Sequence, residues 1–361
     1  MKTETLAAKQ TGRNYGVDTL RIVSMLMIVA VHIFTQGGVL AAAEQGSLNW
    51  YLAWLLRVFM IVDVNCFALI TGYVSVDSRF RASRVISLWF QLIAYSVVIS
   101  GLFRLLGISA FQPRATFFPV MSGRWWYMTA YFGIVFLIPF IGPLFDRISR
   151  RQASMLVCAL ICVFSLLPSL YNTDSFKLHG GYAMAWLGVL AVIGGYIKRF
   201  EPFKNIRRLW IVIYAASMLC VCAWKFTAEA AALAYPDRFV NFTSIFVLIG
   251  SISLLMFFSR ISMAPAVKKI TKFVAPMAFG VYLIHVHPCV WNHVLAGRLA
   301  FLAAQNPAVM ILGVIGFAPG IFILCAAVDW VRGLLFRLLR INKLADIIGS
   351  KLTVLAEKIF K

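Results

Sequence analysis

Charge is scarce in this chain: Asp, Glu, Lys and Arg make up 13% of its 361 residues, where a soluble domain carries about a quarter. With 61% hydrophobic residues and a mean hydropathy of +0.86, a soluble globular fold is excluded and a polytopic membrane protein is implied. Acidic residues are the scarcest class, 13 against 34 Lys and Arg. In a soluble protein the resulting +21 would point to nucleic acid; here the charge follows topology, and no nucleic-acid partner is expected. The seven cysteines never form a CxxC pair and all fall within apolar runs, so they read as small apolar residues and no metal site is expected. No polar stretch exceeds about thirty residues, which leaves no room for an appended soluble module. No internal repeat is visible, which weakens a transporter built from duplicated halves. The first apolar run carries Asp18, Arg21 and His32 and lacks a small-residue cleavage site, so it reads as a retained span and not a signal peptide.

What is present is a series of apolar runs. They divide into ten spans, near 16–35, 49–76, 85–107, 125–145, 152–170, 182–198, 209–232, 241–259, 274–292 and 307–330. With the N-terminus inside, the inner segments hold 25 of the 34 Lys and Arg, and the outer loops only Arg114, Lys177, Arg238 and Arg298. That bias fixes the orientation and puts both termini in the cytoplasm. The expected architecture is an all-α, multi-pass membrane bundle of about ten transmembrane helices over residues 1–330. A cytoplasmic amphipathic tail follows at 331–361, its Leu and Ile residues spaced against Arg337, Arg340, Lys343, Lys351 and Lys358 for contact with membrane lipids.

Within these spans a few ionisable residues stand out. Arg21 and His32 lie eleven residues apart, three helical turns, so they face one way with a rise of roughly 16 Å between them. Asp18 can pair with Arg21 at i, i+3. The functional reading is an anion-binding arginine below a general base; the alternative is a snorkelling arginine and a hydrogen-bonded core histidine. Arg79, Arg81 and Arg84 form a donor set suited to phosphate, or simply mark a cytoplasmic loop. Trp125 reads as an interface aromatic, while Arg124 with Trp126 and Tyr127 is placed to hold an acidic or sugar ligand. In span nine Tyr282 and His285 share a face, but His285 and His287 point about 200° apart, a poor geometry for zinc.

Taken in order, these residues resemble the acyltransferase-3 family of bacterial membrane proteins. The carriers are Asp18 and Arg21 followed by ten residues and His32, then Thr71-Gly72-Tyr73, Arg81 and Arg84, Trp126-Tyr127-Met128, and Tyr282 to His285. The resemblance implies transfer of an acyl group, most often acetyl, from cytoplasmic acyl-coenzyme A to a hydroxyl of a cell-surface glycan or its lipid-linked precursor. Some relatives fuse an extracytoplasmic hydrolase-like domain; this chain is similar to the stand-alone members. Thr71 departs from the common Ser but keeps a hydroxyl.

The expected site follows. His32 is the base, with Asp18, Arg21 and His285 in the catalytic group. Arg21, Arg81 and Arg84 hold acyl-coenzyme A, with acetyl-coenzyme A as the expected donor, and Arg124, Trp126, Tyr127 and Tyr282 hold the acceptor or its oxyanion. An acyl-histidine relay stays open, as does oligomeric state. The rival reading is a transporter or flippase of a glycan precursor, for which Arg57, Asp63, Lys225 and Glu229 would supply intramembrane charge; Lys225 and Glu229 at i, i+4 are more simply an ion pair.

Overall fold

The computed structural model describes residues 12–78, 80–203 and 206–359, and every regular element within them is helical. Arg79 lies outside the described residues. The elements that matter here are α1 (Tyr15–Phe34), α2 (Leu48–Met60), α3 (Asp63–Ser75), α4 (Ala82–Leu105), α5 (Trp126–Val135), α6 (Ile141–Arg147) and α7 (Arg150–Tyr171). They continue with α8 (Met184–Phe200), α9 (Leu209–Ala230), α10 (Ile245–Phe258), α11 (Pro265–Val274), α12 (Ala278–His285), α13 (Pro307–Leu338) and α14 (Ile341–Ile359).

Six helical stretches are long and apolar enough to cross a membrane, or up to eight if each bent pair is one span. The bent pairs turn by 42° after Val135 and by 61° after His285. Each of the ten expected spans has a helical counterpart, yet α8 has 17 residues and α10 has 14, short of the roughly 20 that a straight crossing needs. The shortfall has a physical origin. The apolar runs that suggested longer spans include Tyr182 and Asn241 to Ser244, which lie outside these helices. Tyr182, Asn241 and Phe242 line a cavity in irregular backbone, tolerable at depth only where protein or water covers it.

Packing is tightest between α3 and α8. A Cβ at Gly72 would sit 1.9 Å from the Ala191 carbonyl oxygen, and one at Gly194 would sit 2.0 Å from that of Leu69. Lipid tails give helices no hydrophobic drive to associate, so backbone approach over small residues supplies the dispersion that does. The Thr71-Gly72-Tyr73 motif is therefore, at its glycine, a helix-packing device.

The bundle has two ends. At the lower end, where α1 begins, Asn14 Nδ2 donates to Ser259 O at 2.7 Å, the Thr19 and Thr271 hydroxyls meet at 3.2 Å, and Arg199 pairs with Asp77 at 3.0 Å. At the upper end, where α1 finishes, the Gly297 N–H donates to Gln36 O and the Phe242 N–H to Gly180 O, both at 2.9 Å. α13 runs without a break through residue 330. α14 folds back against the start of α4: Ala345 is fully buried, and a Cβ on Gly349 would lie 2.6 Å from Ser83 N.

Candidate active site

A cavity of about 520 Å³ opens in the upper half of the bundle, lined by His32 of α1, Arg57 of α2, Asp63 of α3, Tyr127 of α5 and Tyr282 of α12. Helix breaks build it. Between α2 and α3 the chain leaves helical hydrogen bonding at Ile61 and Val62, and Asp63 accepts the Val64 N–H at 2.5 Å as the new helix begins. Beyond α12, Pro288 cannot donate to a continuing helix, and a π-helical turn at Trp291–Leu295 brings Trp291 to the wall. Gly181, at φ +106°, lets its loop lie so close to the neighbouring one that a Cβ there would be 2.4 Å from Phe242 Cβ.

The histidines form a directed pair. His32 Nδ1 lies 3.0 Å from His285 Nε2, and His285 Nδ1 lies 2.6 Å from the Val281 carbonyl oxygen. A carbonyl only accepts, so His285 carries its proton on Nδ1, and with both rings neutral its Nε2 must accept from His32 Nδ1–H. The lone pair of His32 is thereby on Nε2, and its ring is held further by an edge contact to Trp291 at 4.7 Å. His287, two residues on, turns the other way, as the helical angle requires: its Nε2 takes a bond from Arg124 Nη1 at 2.8 Å, and the same Nη1 donates to Ser100 Oγ at 2.7 Å.

A run of tyrosines joins this pair to the lower end. Tyr282 is 6.3 Å from His285, Tyr127 is 6.0 Å from Tyr282, and Tyr131 stacks on Tyr127 at 6.3 Å, all by ring centroids. Tyr131 lies within electrostatic reach of both Arg21 and Arg84. The buried Tyr282 hydroxyl makes no hydrogen bond of ordinary geometry.

Arg81 and Arg84 stand apart from His32. They line a second cavity of about 890 Å³ at the lower end, together with Lys272, Arg332, Arg337 and, from α14, Asp346. A small cleft of about 100 Å³ connects the same two arginines with Tyr131. The carboxylate at the bottom of the larger cavity, Asp329, is committed: it accepts from Tyr95 Oη at 2.6 Å, Arg332 Nε at 2.8 Å and Gln91 Nε2 at 3.2 Å. The charged groups of the walls are thus mostly cationic. Asp18 pairs with Arg21 at 2.9 Å, as the i, i+3 spacing predicts, and also with Arg13.

A family model described as an acyltransferase domain, that of the acyltransferase-3 family, matches residues 14–330. The chain belongs to the acyltransferase-3 family. No curated protein and no solved structure shows a match.

In this acyltransferase the sequence motifs separate into two places. His32, His285, Arg124, Trp126, Tyr127 and Tyr282 gather at or beside the upper cavity, while Arg81 and Arg84 mark the lower one, with Asp18 and Arg21 paired at the start of α1. Trp125 is a correction: it is 1% exposed, and its indole N–H donates to Leu283 O at 3.1 Å, satisfying a carbonyl that the end of α12 leaves open. Sequence reasoning missed His287, Tyr182 and Trp291 as site residues. The His287-Pro288 step was the available signal for a helix break; nothing in a single sequence marks Tyr182 or Trp291. Lys225 meets Glu229 at 2.5 Å and Asp237 at 2.8 Å and lies 4.1 Å from the Trp54 ring, a closed cluster outside the cavity lining. Among the described residues no group of three or more His, Cys, Asp or Glu could hold a metal ion.

Proposed function

We propose that this acyltransferase is a ten-span enzyme moving an acyl group, acetyl in the first instance, from cytoplasmic acyl-coenzyme A to a hydroxyl of a cell-surface glycan or its lipid-linked precursor. The observation that carries the reading is the His32–His285 pair, because it leaves a ring nitrogen with a free lone pair on a cavity-lining residue. The lower cavity suits the polyanionic nucleotide end of coenzyme A, since Arg81, Arg84 and Lys272 can engage phosphate. The pantetheine arm then follows the tyrosine run upward, and the thioester meets the acceptor beside His32.

In the transfer step His32 Nε2 takes the proton of the acceptor hydroxyl as its oxygen attacks the thioester carbonyl. The C–O bond forms, the C–S bond breaks, and the proton on the imidazolium passes to the departing thiolate. His285 acts through His32: its Nε2 lone pair orients the ring and stabilises the imidazolium that forms. The Tyr282 hydroxyl, uncommitted in the cavity wall, donates to the oxyanion. A thioester is already activated, so alignment and proton transfer are what the site must supply.

The test is His32→Ala in the purified full-length protein. Transfer of acyl from acyl-coenzyme A should fall to background while acyl-coenzyme A affinity and thermal unfolding stay near wild type. Undiminished turnover by the folded variant would remove His32 from the chemistry and this mechanism with it.

A further inference from the structure

The upper cavity holds more cationic hydrogen-bonding capacity than acyl transfer from a thioester needs. Two guanidinium groups, Arg57 and Arg124, line it, against a single carboxylate, Asp63. Arg124 is tied to Ser100 and His287. Arg57 is not tied: its Nε and Nη1 are buried without a hydrogen-bond partner, and it makes no ion pair among the described residues. The acids nearest to it in electrostatic terms form no ion pair with it: Asp237 pairs with Lys225, and one oxygen of Asp63 accepts the Val64 N–H. Its guanidinium does lie 4.7 Å from the Trp54 ring, but a π-face leaves the in-plane N–H groups without acceptors. Buried donors of a charged group are costly to leave unmade, so their retention at a cavity wall points to an acceptor brought by a ligand.

The surroundings narrow that ligand. Tyr182 is an electrostatic neighbour of both Arg57 and Asp63, and its ring packs 4.4 Å from Trp126, so an apolar platform adjoins the cation. Flat aromatic faces beside a guanidinium fork suit a ring bearing hydroxyls and a carboxylate or phosphate. We infer that Arg57 receives the anionic group of the acceptor, so that the enzyme acts on an acidic saccharide or a saccharide phosphate in preference to a neutral one. This rests on the acyltransferase reading for the word acceptor, but the binding it predicts is measurable without acyl transfer.

The experiment measures thermal stabilisation of the purified full-length protein in detergent by glucuronate, glucose 1-phosphate and glucose, with acyl-coenzyme A titrated separately. The wild-type protein should bind at least one of the two anions roughly tenfold more tightly than glucose, the scale of one charged hydrogen bond. Arg57→Gln should erase that preference and leave glucose and acyl-coenzyme A affinity as they are. Arg57→Lys keeps the charge, loses the fork and should retain part of the preference, which keeps the test alive if Arg57→Gln does not fold. Tighter binding of glucuronate assigns the anion to an acidic sugar, and tighter binding of glucose 1-phosphate assigns it to a phosphate-linked one. No preference for either anion in the wild type, binding of none of the three, or a preference that survives in Arg57→Gln overturns the inference. Absence of acyl-coenzyme A binding would instead strike the donor reading and leave the anion comparison standing.

Discussion

At the scale of residues the site is a matter of which hydrogen-bonding groups are engaged and which are free. The Tyr127 and Tyr282 side chains both line the cavity, and it is the buried Tyr282 Oη that has no hydrogen-bond partner. Tyr282→Phe should therefore lower kcat by about 10²–10³ with little change in KM, the range for loss of one oxyanion donor, and Tyr127→Phe should cost much less. Steady-state kinetics of the two variants decide it; equal losses would show that Tyr282 is not the donor. His285→Ala removes the partner that fixes the His32 tautomer, so kcat should fall while acyl-coenzyme A affinity is kept. Asn at position 285 offers a shorter side chain with an acceptor oxygen and should restore part of kcat; no restoration would argue for a role beyond accepting a hydrogen bond. The contacts among these residues were only partly legible in the sequence. The Arg21–Asp18 pair was, because i, i+3 spacing on a helix is local geometry. His32 and His285 were each visible as intramembrane histidines, but their contact joins residues 253 apart in sequence, and nothing in one sequence encodes that pairing.

At the scale of elements the apolar periodicity located a helix for every expected span, and what it could not see was where helices stop inside the apolar runs. The break before Asp63, the bend after His285 and the irregular segment around Tyr182 fall inside the expected spans, and residues of all three line the cavity. Hydropathy reports transfer from water and is blind to backbone hydrogen bonding. Gly72 shows the converse. The sequence offered it as part of a motif, and the structure gives the physical content, contact with the Ala191 carbonyl that any Cβ would push away. Gly72→Ala should destabilise the α3–α8 pair by about 1–3 kcal/mol, the usual cost of overpacking, and lower the thermal unfolding midpoint in detergent. Gly101→Ala is the control: no atom lies within 4 Å of a Cβ there, so it should be near neutral. A neutral Gly72→Ala would mean that the two helices can separate without cost.

At the scale of the whole molecule the two cavities lie at opposite ends, so donor and acceptor are expected to approach from opposite sides. In sealed proteoliposomes of uniform orientation, acyl-coenzyme A should support transfer only from the face bearing Arg81 and Arg84, and a glycan acceptor only from the other. Transfer with both substrates confined to the first face would make the enzyme one that modifies precursors before export. Arg81→Ala and Arg84→Ala should each weaken acyl-coenzyme A binding, with the wild-type affinity falling as salt rises because contacts at a water-facing mouth are screened. Lys at either position should recover only part, lacking the bidentate fork; unchanged affinity in both alanine variants would reduce them to topology markers. The wall of that lower mouth is completed from far along the chain. Asn342 and Asp346 of α14 line it together with Arg81 and Arg84, and α14 is anchored on the first turn of α4. Of the described helices α14 is the last in the chain, so this side of the mouth is the last to be made. A chain cut near residue 340 would thus lack one side of the cation-lined mouth, and the docking of a single amphipathic helix would be the last step in closing it.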